Sequence, residues 1–100
     1  MATRRLRRSG GNVFRDLGFS AEEAENLRIR SELMARLTRV IEERELTQGE
    51  AARILGVTQP RVSDLVRGKI ELFSIDSLVN MLAKAGLQVT VTTRARKRVA

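Results

Sequence analysis

Gln59, Arg61, Ser63, Asp64 and Arg67 crowd into a short stretch of the sequence, interleaved with Val62, Leu65 and Val66. On a helix the three apolar residues form one stripe, which leaves the five polar residues on the other sides. An amide, two guanidiniums, a hydroxyl and a carboxylate so placed can hydrogen-bond a partner in several directions, with little scope for covalent work. The rest of the 100-residue chain offers no alternative chemistry. It contains no His and no Cys, which removes thiolate and imidazole metal sites, disulfide staples and the usual nucleophile–base pairs. Its carboxylates are scattered and form no acid–base constellation, so an enzyme is the least supported class. No cofactor is implied.

A polar helix needs elements that present it, and the surrounding stretch Leu46 to Gly68, LTQGEAARILGVTQPRVSDLVRG, supplies them. A first helix is expected from about Gln48 to Leu55. Thr47 is its N-cap, with Glu50 three residues on to complete a capping box. Ala51, Ala52 and Leu55 provide small, close-packing apolar positions. Gly56 gives the left-handed residue that ends the helix. Thr58 caps the second helix, and Pro60 sits in its first turn, where a missing N–H is harmless. Gly68 ends it, and Lys69 follows. A B-DNA major groove about 12 Å wide admits one α-helix. A protein that reads bases must push a short helix outward, polar side first, with a preceding helix across the backbone to hold it. The stretch meets that requirement in caps, turn, length and polar face.

The same residues carry a resemblance. LTQGEAARILGVTQPRVSDLVRGK resembles the helix-turn-helix of the phage-repressor-like, or XRE, family of regulators. Thr47-Gln48 open the supporting helix, Ala52 and Gly56 stand at its packing and turn positions, Thr58 to Val66 form the recognition helix, and Arg67-Gly68-Lys69 close it. The likeness covers the motif and, as a helical domain, about Leu33 to Ala85. Arg67 stands where the family often has Asn, and Pro60 where a polar base reader is common.

The resemblance implies a set of contacts to double-stranded DNA. Gln48 would hold a phosphate, and Gln59 would face a base edge, where Gln pairs bidentately with adenine. Arg61 would reach guanine or a phosphate. Ser63 and Asp64 come next along the exposed side; Asp64 would accept from a cytosine amino group or else orient Arg61 or Arg67. Arg67 and Lys69 would lie near the backbone, and Thr58 would donate to a phosphate while capping. Thr47, Gly56 and Thr58 already have structural work, which suffices to explain them.

Composition is consistent with one small domain. The hydrophobic share is 42% but aromatics are only 3%, so the core must be built from Leu, Ile, Val, Ala and Met. No apolar run approaches the roughly 20 residues of a membrane span, and no apolar stretch follows the basic N-terminus as in a secretory signal. A cytoplasmic, nucleoid-associated protein is expected. The net charge of +7 is asymmetric: 8 of the 19 basic residues lie in the two ends, Arg4, Arg5, Arg7 and Arg8 in one and Arg94, Arg96, Lys97 and Arg98 in the other. Such ends suit a polyanion or are simply solvated.

Along the chain, residues 1–12 read as a disordered basic arm that tracks phosphates or stays passive. Asn12 to Phe19 carries Val13, Phe14, Leu17 and Phe19, which dock on the body, form a short extended piece or bind a partner. Ser20 caps a long helix, with Glu23 as the second half of a capping box; Leu27, Ile29, Leu33, Met34, Leu37, Val40 and Ile41 follow its period to an end near Glu45. Leu72 and Phe73 are expected to plug the core from a loop. Ser74 caps another helix, about Ile75 to Ala85, with Ile75, Leu78, Val79 and Leu82 as its stripe and Gly86 as its end. Leu87 to Thr93 alternates apolar and polar residues, which predicts a strand. Its partner is either the Val13–Phe14 region or, better, the same strand of a second copy about a two-fold axis.

The expected fold is mainly α: a four- to five-helix, repressor-like DNA-binding domain over residues 13–93, with a C-terminal β-strand pairing across a homodimer, and a basic tail at 94–100. The expected function is a homodimeric repressor that binds an inverted repeat through the helix 59–67, its two recognition helices about 34 Å apart. The alternative is an antitoxin similar to HigA-type proteins, which regulates its own operon and neutralises a toxin ribonuclease. A third reading keeps the fold as an interaction module without DNA binding; the net positive, polar motif argues against it.

Overall fold

Helix starts are decided by side chains that accept the free N–H groups of a first turn. The computed structural model describes residues 12–95, and each of its main helices opens this way. A one-turn helix, α1 (Val13–Asp16), precedes the long α2 (Ala21–Glu43). At the start of α2, Ser20 Oγ accepts from the Glu23 N–H at 3.2 Å and Glu23 Oε1 accepts from the Ser20 N–H at 3.3 Å. Then come α3 (Gln48–Leu55), α4 (Gln59–Val66), a 3-10 turn at Ile70–Leu72, and α5 (Ile75–Lys84). Capping boxes open α3, through Thr47 and Glu50, and α5, through Ser74 and Ser77. The basic arm and tail lie outside the described residues, apart from Asn12, Arg94 and Ala95.

α2 is the spine. Its C-terminal half contributes Met34, Leu37, Val40 and Ile41 to a core shared with Ala51, Ala52 and Leu55 of α3, Val62 and Leu65 of α4, Phe73, and Leu78, Met81, Leu82 and Ala85 around α5. Its N-terminal half carries buried Ala24 and Leu27 and packs against α1, whose orientation is pinned by Asn12 Nδ2 donating to the Ala24 carbonyl at 3.0 Å. Two arginines extend α2's hold beyond apolar contact. Arg30 Nη1 donates to the carbonyls of Ile70 and Phe73 at 3.1 and 3.2 Å, and Arg44 Nη2 donates to the Ala85 carbonyl at the end of α5 at 3.0 Å.

Four sequence expectations change. The Val13–Phe14 region is a helix, because Asn12 caps it through a bond from the Phe14 N–H, so it offers no edge to a strand. Residues 87–95 form no strand within the described chain: Leu87 and Val89 rest on the core and Val91 is 77% exposed, so the alternation is real but no second edge exists there to pair with it. Leu72 is 44% exposed and does not plug the core; Phe73, 2% exposed, does so alone. Val66, 38% exposed, falls off the stripe of Val62 and Leu65. Among the described residues no helix is long and apolar enough to cross a membrane.

Candidate nucleic-acid interface

The site is built on three residues between two eight-residue helices. Gly56 takes φ 73°, ψ 32°, the left-handed conformation, and both its N–H and that of Val57 return to the Ala52 carbonyl. A Cβ at Gly56 would also stand 2.8 Å from Lys84 Cδ, because the Lys84 chain lies across the turn. Thr58 Oγ1 then accepts from the Arg61 N–H at 3.3 Å, and Pro60 occupies the first turn of α4. Val62, 0% exposed, and Leu65, 2%, root α4 in the core. Opposite them, Thr58, Gln59, Pro60 and Arg67 are exposed and Arg61, Ser63 and Asp64 are half-buried.

The side chains predicted to make contacts divide into four groups. Gln48, Thr58, Gln59 and Arg67 are open to a partner. The hydroxyl of Thr58 accepts a bond without donating one among the described residues, so its proton is available to an anion. Asp64 lies 3.9 Å from Lys69 Nζ, and the Lys69 N–H returns to the Asp64 carbonyl at 3.1 Å; the partner of this carboxylate is therefore Lys69 and neither arginine. Arg61 turns back onto the protein: Nη1 donates to the Leu72 carbonyl at 2.8 Å, and its guanidinium carbon sits 4.2 Å from the centroid of the Phe73 ring. Ser63 is half-buried behind the exposed row.

Two residues of the site escaped the sequence reading. Gly49 lies in α3 where a Cβ would approach Gln59 Nε2 to 3.1 Å; the missing methyl leaves a notch in which the Gln59 carboxamide lies. A glycine inside a predicted helix, where Ala would be more stable, was the available signal. Arg30 grips the turn that Arg61 also grips, and nothing local to Arg30 announces a partner 40 residues away. Glu50 is committed to its cap, accepting from the Thr47 N–H at 2.9 Å, and Lys69 is shared with Asp64, which leaves Arg53 and Arg67 as the exposed positive charges of the motif. Among the described residues no group of acidic side chains converges to hold a metal ion.

Residues 13–94 match the family model described as a helix-turn-helix domain. A solved structure provisionally assigned as an XRE family transcriptional regulator is 32% identical, with a TM-score of 0.66 over 78% of this chain and 90% of its own. No curated protein matches the chain. The match covers the two capped helices, their glycine turn and the polar outer face together, and this chain belongs to the XRE-type helix-turn-helix family of transcriptional regulators.

Proposed function

We propose that the chain is a DNA-binding transcription regulator that inserts α4 into a major groove as a homodimer on an inverted repeat, and represses by covering a promoter. The observation that carries this reading is the exposed N-terminal end of α4, with Gln59 at its tip, held out from a body that buries Val62 and Leu65 completely. Gln59 reads a base edge, with adenine as its bidentate partner. Ser63 follows it along the helix. Gln48 and Thr58 hold phosphates at the N-terminal ends of α3 and α4, where free N–H groups already favour an anion, and Arg67 holds one at the C-terminal end of α4 through its own charge. Lys69 adds a backbone contact, and Asp64 orients that lysine. The arm and tail arginines add sequence-independent affinity that falls steeply with salt.

Selection of bound sequences from a random duplex pool tests the reading. It should return an inverted repeat with half-sites about 10 base pairs apart, centre to centre, and light scattering at micromolar concentration should give a dimer mass. A pool with no enrichment, or an affinity indifferent to salt, would remove the DNA reading; a monomer mass would remove the dimer.

A second reading, an antitoxin, is favoured by one observation. Leu17 and Phe19, 65% and 41% exposed, lie in the link between α1 and α2, as apolar surface for a protein partner. Co-purification of a ribonuclease bound to that link would support it, and loss of the complex in Leu17→Ser would locate it.

A further inference from the structure

We infer that Arg61 is a positioning residue for the reading helix, and that its work is done inside the protein. The inference rests on the DNA reading above, since there must be a helix to position. The sequence places Arg61 on the outer face of α4, beside Gln59, where guanine or a phosphate would be its target. The geometry assigns it elsewhere. Nη1 donates to the Leu72 carbonyl at 2.8 Å, and the guanidinium lies over Phe73 at 4.2 Å, a ring only 2% exposed and so fixed by the core. A plane that stacks on a ring while its edge donates a hydrogen bond is a combination that Arg offers and Lys does not.

The segment so gripped is the 3-10 turn Ile70–Leu72, which has no side-chain cap of its own. Arg30 of α2 grips it from the other direction through the Ile70 and Phe73 carbonyls and is itself steadied by Nε donating to Asn26 Oδ1 at 2.7 Å. Three acceptors of this segment, the carbonyls of Ile70, Leu72 and Phe73, thus receive bonds from two guanidiniums, one from the spine and one from the reading helix. The turn becomes a rivet between α2 and α4. α4 is otherwise held by apolar contacts at Val62 and Leu65, which resist its lifting but are non-directional and leave its rotation about its own axis weakly defined. Arg61 supplies that missing constraint. Reaching for DNA would release the hydrogen bond and the stack together and loosen the helix at the moment of docking.

The test uses the full chain and a duplex selected from the random pool, with every single-base variant of one half-site. Arg61→Ala is expected to lower affinity about tenfold, by the same factor on all variants, with the slope of log K against log salt unchanged. Arg61→Lys, which would preserve a simple phosphate contact, should recover little of the loss. The Arg61 Nε–H resonance should lie upfield under the Phe73 ring in the free protein and remain there in the complex. Phe73→Leu should abolish that shift, and the double variant should bind no worse than Arg61→Ala. Circular dichroism at the assay temperature confirms that each variant is folded, and Arg61→Lys keeps the test available if Phe73→Leu does not fold. Relaxed preference at one base pair would make Arg61 a reader, and a slope shallower by about one would make it a phosphate ligand; either overturns the inference. Wild-type protein that binds no sequence would overturn the DNA reading itself.

Discussion

Gly49→Ala puts stability and recognition in opposition. Gly49 has ordinary helical backbone, unlike Gly56, Gly68 and Gly86 with their positive φ, so Ala meets no conformational barrier. In a helix interior Ala is favoured over Gly by roughly 0.5–1 kcal/mol, and less in a first turn. Against this stands the new methyl, 3.1 Å from Gln59 Nε2 and 3.8 Å from its Cδ. Only the nitrogen is too close, and it is the far end of an exposed side chain. The carboxamide therefore swings away by a few tenths of an ångström or changes rotamer, at about 0.5 kcal/mol. The unfolding free energy from urea titration should stay level or rise, by up to about 0.5 kcal/mol. Recognition should suffer: a bidentate Gln–adenine pair is worth about 1–3 kcal/mol of discrimination, and a displaced amide loses part of it. Competition binding with the preferred half-site against its single-base variant at the Gln59 position measures that loss. In a Gln59→Ala background the same substitution should change nothing. Unchanged discrimination in Gly49→Ala would show that the notch does not aim the glutamine.

Other outcomes follow from single features. Glu45 ends α2 with φ 54°, a conformation that a β-carbon makes costly, so Glu45→Gly should raise stability by about 0.5–1 kcal/mol; a lower thermal midpoint would show that Glu45 holds something else in place. Thr58→Ala should cost about 1 kcal/mol through the lost cap, with Thr58→Ser restoring most of it, read by urea titration. Arg28 donates to Glu25 at 2.7 Å and to Glu32 at 2.8 Å on the surface of α2, and its pKa is raised, chiefly by the hydrogen bond to Glu25. A raised folded value means that its contribution is complete below the unfolded pKa and fades only as pH rises through the higher folded one. The Arg28→Gln deficit, about 0.5 kcal/mol, should therefore be flat from pH 6 to 9 and shrink in concentrated salt.

What the sequence discloses is what neighbours in the chain decide. Ser20 with Glu23, Thr47 with Glu50, and Gly56 followed by Thr58 each act within three residues, so the starts of α2, α3 and α4 and the turn were legible to the residue, whereas the start of α1 at Asn12 was not. Phe73 could be placed near the core, but Leu72 and Phe73 are adjacent apolar residues, and only the path of the 3-10 turn decides which of them points inward. The Arg61 stack and the Gly49 notch join residues on different elements, and no periodicity encodes them. The end of α2 was legible only approximately, since Glu45 adopts the left-handed conformation without being glycine. At residues 87–93 the alternation reports which side chains face the core, and strand pairing requires a second edge as well.

The length of the reading helix has a thermodynamic corollary. α4 has eight residues and so does α3, both below the roughly 12–15 at which an isolated helix becomes even marginal in water. Neither persists once undocked, so the fraction of molecules able to grip an operator equals the fraction folded. Occupancy of a promoter would then fall with heat as sharply as the domain melts. The operator in turn would act as a thermal buffer, stabilising the fold by about 2.7 kcal/mol at a hundredfold excess over Kd.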